Sequence, residues 1–159
     1  MDFARAAEVL RDATLEVFGT MFGTELEPQA PIADKHPFHK SDDITALIGL
    51  AGDVQGYVSI HCTLTQAKSF TARLLRIEPE EMIEADEIRD TIGEIVNMMA
   101  GRVKHALSEL NSVNIALPTV IMTAHPDVIV NDSTGIAIPF EDSTGVFHVE
   151  LVVTEGEIS

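Results

Sequence analysis

The chain has 159 residues, 45% of them hydrophobic, with a formal net charge of −16 and one cysteine. Such a length and apolar content fit a single domain with a sizeable core and exclude disorder, and the acidic balance disfavours nucleic acid and anionic membranes, whose phosphates call for clustered Lys and Arg. Cys62 has no partner for an internal disulfide, which fits a reducing cytoplasm, and no apolar run approaches the roughly 20 residues that span a bilayer.

Residues from about 2 to 22 read as a helix, and residues 1–8 lack the basic and apolar regions of a signal peptide. Residues 25–40, with prolines at 28, 31 and 37, read as an irregular connection. Runs at 44–50 and 57–62 read as strands joined through a turn between Gly52 and Gly56. Thr65 is the expected N-cap of a short helix reaching about residue 75. After the break at Pro79 a long helix is expected over about 84–110. Strands follow near 128–130, 135–140 and 146–154, with the start of another at 117–123. Two long helices on an antiparallel or mixed β-sheet make an α+β fold.

The pattern of residues also predicts internal duplication. Arg11, Asp12, Glu16, Met21 and Gly23 stand at the same offsets as Arg89, Asp90, Glu94, Met99 and Gly101. Turns Gly52–Gly56 and Glu141–Gly145 echo one another in the same order. One domain over 1–159 is expected, with pseudo-repeat halves of about 1–75 and 76–159.

The long helix holds the most informative polar cluster. At about 100° per residue, Ile88, Ile92, Ile95, Met99, Val103, Ala106 and Leu110 form one apolar stripe. Asp90, Glu94, Asn97 and Gly101 fall together on the opposite face, where Met98 also projects and where Gly93 is expected to lie exposed. Glu94 and Asn97 are three apart and therefore neighbours. A face selected only for solubility avoids glycine, which costs about 1 kcal/mol against alanine; this one suits close approach by another protein.

Other candidates carry less. His36 and His39 lie in the proline-rich connection without Cys or carboxylate at ligand spacing, so no metal site is expected. His61 and Cys62 end a strand, where a buried cysteine is the default reading. His105 shares a face with Glu94 and reads as solvent-facing. The acidic residues from 84 to 87 complement the helix dipole.

The spacing Asp90, three residues, Glu94, two residues, Asn97, followed by Gly101 and the segment Leu117–Ile121 with its Pro118, resembles the CheC/CheX/FliY family of chemotaxis phosphatases, most closely its CheX-type branch. The resemblance implies a phosphatase acting on the aspartyl phosphate of a CheY-like response regulator in the cytoplasm. Asn97 would orient the attacking water and Glu94 would pair with the receiver's lysine. Asp90, Met98 and Gly101 would contact the partner. No cofactor of its own is implied, since the receiver carries Mg²⁺, and a homodimer is implied, joined at sheet edges such as the strand 146–153. In the first helix Gly19 stands where Asn97 stands in the second, so one working site per chain is expected; Gly19 otherwise reads as a close-packing residue between helices. A non-catalytic receiver-binding module and a purely structural dimer subunit remain the rival readings, and only hydrolysis needs Asn97.

Overall fold

The computed structural model describes residues 3–34, 43–78, 81–108, 112–122 and 133–154. Helix α1 (Phe3–Phe22) is followed by β1 (Glu27–Pro28), β2 (Ile32–Asp34) and the hairpin β3 (Ile44–Gly52) and β4 (Gly56–Cys62). Helix α2 (Leu64–Leu75) leads to α3 (Ala85–Leu107), then β5 (Val113–Ile115), β6 (Thr119–Ile121) and the hairpin β7 (Ser133–Asp142) and β8 (Gly145–Thr154). The order helix, two short strands, hairpin thus occurs twice. The sheet runs β1-β7-β8-β4-β3-β5, with β2 beside β7 and β6 beside β3. Each pair of short strands therefore flanks the other half's hairpin, and every described pairing is antiparallel.

Helices cover one face of this sheet. Alternation on the strands turns Ile44, Ala46, Ile48, Val58, Ile60, Ile138, Val149 and Leu151 into a core shared with Leu10, Val17, Ile92, Ile95 and Met99. At one end Phe18 meets Phe22, Phe70 and Phe147 at ring-centroid distances of 5.4, 5.3 and 5.0 Å, which ties α1, α2 and β8 together. Arg73 fixes the same corner from α2, reaching Asp142 at the end of β7 at 3.2 Å.

Four expectations are corrected. The connection at 25–34 is not irregular throughout, because β1 and β2 pair with β7; Pro28 is tolerated there because an outer strand need not donate on its free side. The α2 N-cap is Thr63, not Thr65: the Gln66 N–H donates to Thr63 Oγ1 at 3.1 Å and the Thr63 N–H donates to Gln66 Oε1 at 2.9 Å, a reciprocal box three residues apart. The long helix stops at Leu107, short of 110, and β5 follows. Strand β8 is not a sheet edge. It lies between β7 and β4, paired on both sides, so its backbone is not available for joining copies, and Phe147, Val149, Leu151 and Val153 fill the core. Residues 128–130, with His36 and His39, lie outside the described residues.

Part of the second face of the sheet is also buried. Thr45, Ser59, His61 and Glu150, all at most 4% exposed, stand side by side across β3, β4 and β8 with Tyr57 nearby. Tyr57 is buried, and its Oη has no hydrogen-bond partner among the described residues. Burial, and secondarily the Glu150 carboxylate, pushes its phenol well above the ordinary value. A folded-state value above the unfolded one means the native state holds the proton longer. Stability is then untouched below about pH 10 and falls as pH rises beyond it. Tyr57→Phe is accordingly expected to be neutral or to stabilise by up to about 1 kcal/mol near neutrality. It should also remove part of the alkaline loss, as measured by urea denaturation on either side of about pH 10.

Candidate functional site

Helix α3 positions the site through its own amphipathicity. Ile88, Ile92, Ile95, Met99 and Val103 are buried as the stripe predicts, and Ala106 is half-buried, while Leu110 lies outside the described residues. Glu84 precedes the helix and its N–H donates to Glu87 Oε1 at 2.9 Å, while Asp86 and Glu87 place negative charge in the first turn. With the stripe fixed on the core, the opposite face has no freedom to rotate. Asp90 and Glu94 are exposed there and Asn97 is half-buried.

These three residues form one wall of a cleft of about 560 Å³, whose other wall is Leu117, Pro118 and Val120 of the β5–β6 segment. Gly93 is buried between the two walls. A Cβ placed on it would lie 3.6 Å from Val120 Cγ2 and 3.9 Å from Pro118 Cγ. The expected exposed glycine is therefore buried beside the second wall, at a spacing where a Cβ would make ordinary van der Waals contacts. Arg89 completes the lining, its Nη1 held 3.1 Å from Asp86 Oδ1. Arg89 is not among the site residues expected from the sequence, although its position one turn before Gly93 is a signal for it.

Neither Glu94 nor Asn97 makes a side-chain hydrogen bond or ion pair among the described residues. Among the described residues the cleft lining holds no thiol, hydroxyl or imidazole. It offers a carboxylate able to take a cation and, one helical turn away, a carboxamide with one acceptor and two donors. Among the described residues no group of three His, Cys, Asp or Glu side chains could hold a metal ion.

The remaining candidates separate from this cleft. Gly101 is half-buried beyond its edge, and a Cβ there would meet nothing within 4 Å. Met98 is half-buried against the core margin and does not line the cleft. His105 is exposed and lies in a second groove of about 300 Å³ between α1 and α3, with Arg5, Asp12, Glu16 and Arg102. There Glu16, the counterpart of Glu94, is bound by Arg102 at 3.0 Å. Gly19, the counterpart of Asn97, is exposed with nothing within 4 Å of a Cβ, so it is not a close-packing residue. Gly101→Ala fills open space within a helix and is expected to raise stability by about 1 kcal/mol in thermal or urea denaturation.

Comparison with known proteins gives a consistent picture. A family model described as chemotaxis phosphatase CheX matches residues 44–141. The chain is 30% identical to the chemotaxis protein CheX of Desulfovibrio desulfuricans over 92% of this chain and 97% of that one, with a TM-score of 0.80. It is 29% identical to a CheC-like superfamily protein of Shewanella sp. PV-4 over 98% and 100% of the two chains, with a TM-score of 0.82. The fold is also that of a chain in the CheX–CheY–BeF3–Mg²⁺ complex of Borrelia burgdorferi, at 21% identity over 94% and 97% of the two chains and a TM-score of 0.78. A comparison with curated proteins finds no match. Among the described residues no helix is long and apolar enough to cross a membrane.

Proposed function

The chain belongs to the CheX family of chemotaxis phosphatases, and from that membership we propose that it hydrolyses the aspartyl phosphate of a CheY-like response-regulator receiver domain in the cytoplasm. The observation that carries this reading is the pairing, on one cleft wall, of an uncommitted Glu94 with an uncommitted Asn97, while the matching positions of α1 hold an ion-paired Glu16 and a glycine. The Borrelia complex, in which a protein of this fold is joined to CheY with BeF3 and Mg²⁺, supports the choice of partner.

In this reading the receiver brings the phosphorylated aspartate, a lysine and Mg²⁺, and the chain adds no cofactor. Glu94 pairs with the receiver's lysine, a charge-assisted contact that sets the docking register. Asn97 then enters the phosphorylation pocket. Its carboxamide holds a water in line with the phosphorus–oxygen bond to the aspartate. Water attacks phosphorus, that bond breaks, and inorganic phosphate leaves the regenerated carboxylate. Asp90 and Gly101 border the contact, and Met98 lies beside it. One site per chain follows from Gly19. Two copies joined through sheet edges would use the outer short strands, β1 with β2 or β5 with β6, because β8 is interior.

The test is phosphate release from chemically phosphorylated receiver domains of the source organism, with and without the protein. Acceleration is expected for at least one receiver. Tight receiver binding without acceleration would replace hydrolysis by a binding module, which needs Glu94 and not Asn97.

A further inference from the structure

We propose that Leu117 is a specificity contact of the cleft, an apolar knob presented to the receiver beside the Glu94 and Asn97 wall; the inference rests on the phosphatase reading and deepens it by naming what the partner must offer. Leu117 is 87% exposed and lines the cleft from the side facing Glu94. Burying a leucine side chain is favourable, so one held largely in water at the lip of a polar cleft is a contact open to a partner. The other comparably exposed large hydrophobic among the described residues, Met82 at 86%, lies in the α2–α3 connection and is not part of the cleft lining.

The segment that carries the knob is anchored on both sides of it. The Ala116 N–H donates to the Gly49 carbonyl at 3.0 Å, and Ala116 Cβ lies 3.7 Å from where a Cβ on Gly49 would stand. Ile115 is in register with Leu50 and Thr119 with Leu47, so both ends of the segment are paired to β3. Pro118 restricts the next backbone step and rests over Gly93. A side chain on so fixed a segment loses little backbone freedom when it is covered, the condition under which an exposed apolar residue becomes an interface anchor.

The chemistry of the two walls defines the occupant. Asp90 and Glu94 call for a cation, and Leu117, across the cleft, calls for an apolar patch. The receiver surface that fits therefore places an apolar patch next to its active-site lysine. Receivers whose corresponding position is polar or charged should be poor substrates even though their phosphorylation chemistry is identical. In that sense Glu94 and Asn97 read the common chemistry and Leu117 reads identity.

The experiment uses the whole chain with the best-responding receiver, comparing wild type, Leu117→Ser and Leu117→Met in steady-state phosphate release and in binding to the receiver loaded with BeF3 and Mg²⁺. Leu117→Ser is expected to raise KM and Kd about tenfold with kcat within about twofold, and Leu117→Met to restore both. Unchanged KM and Kd for Leu117→Ser would overturn the proposal, as would a loss confined to kcat. Wild type that binds the BeF3-loaded receiver without releasing phosphate would overturn the phosphatase reading instead, and the Kd comparison would still decide the role of Leu117.

Discussion

Asn97→Ala is expected to abolish most of the acceleration of receiver dephosphorylation, lowering kcat by about 10²–10³, while receiver Kd changes by no more than about threefold. The expectation follows from what the carboxamide can and cannot do. It cannot accept a proton at neutral pH, and the role proposed for it is to hold water at the angle that in-line displacement requires. Such a contribution appears in the transition state and not in the ground state, which places the loss in kcat. Asn97 is half-buried in the cleft wall, and no described neighbour relies on it for a hydrogen bond, so the truncation should leave the fold intact. Glu94→Ala separates from it in kind. Glu94 is exposed and its reading is a docking contact, so KM and Kd should rise by about tenfold or more and the loss should shrink at high salt. A result in which both variants lose binding equally would mean that Asn97 docks and does not orient water. The measurements are single-turnover phosphate release and binding of the BeF3-loaded receiver.

Much of this site was legible in the sequence because it sits on one helix. The buried stripe from Ile88 to Val103 fixes the rotation of α3 by local periodicity alone, and that in turn places Asp90, Glu94 and Asn97 on one exposed patch. The second wall was less legible. Leu117–Ile121 stands out as a segment, but its position against Gly93 depends on Thr119 and Val120 pairing with Leu47 and Ala46, some seventy residues earlier. The same non-locality explains the misreading of β8. Its apolar run is equally compatible with an exposed edge or a central strand, and only pairing to β4 decides. Glu150 and His148 alternate with apolar neighbours as though facing water, yet Glu150 is buried. Alternation reports which residues share a face and not whether that face is covered.

That covered polar face leads to the largest expected effect on stability. His61 and Glu150, 4% and 2% exposed, meet through His61 Nε2 and Glu150 Oε1. Thr45 Oγ1 lies 3.0 Å from His61 Nδ1, Ser59 Oγ lies 3.1 Å from His61 Nε2, and the Ser59 hydroxyl donates to Glu150 Oε1 at 3.3 Å. His61→Leu would leave the Glu150 carboxylate buried with Ser59 as its remaining hydrogen-bond partner among the described residues. Removing one member of a buried pair commonly costs about 3–5 kcal/mol, a large part of the roughly 5–15 kcal/mol that holds a domain together. Replacing both, His61→Leu with Glu150→Leu, removes the stranded group along with its partner, and the combined loss should fall well below the sum of the two single losses. Urea denaturation of the two single variants and the double variant measures this coupling; strictly additive losses would show that the pair contributes nothing as a pair. Because His61 and Glu150 lie on the face of the sheet opposite α3, whatever fraction of each variant folds should retain the receiver activity assigned to Glu94 and Asn97. Stability and hydrolysis would then be separable in one protein, with the polar layer of the sheet governing the first and a single helix face the second.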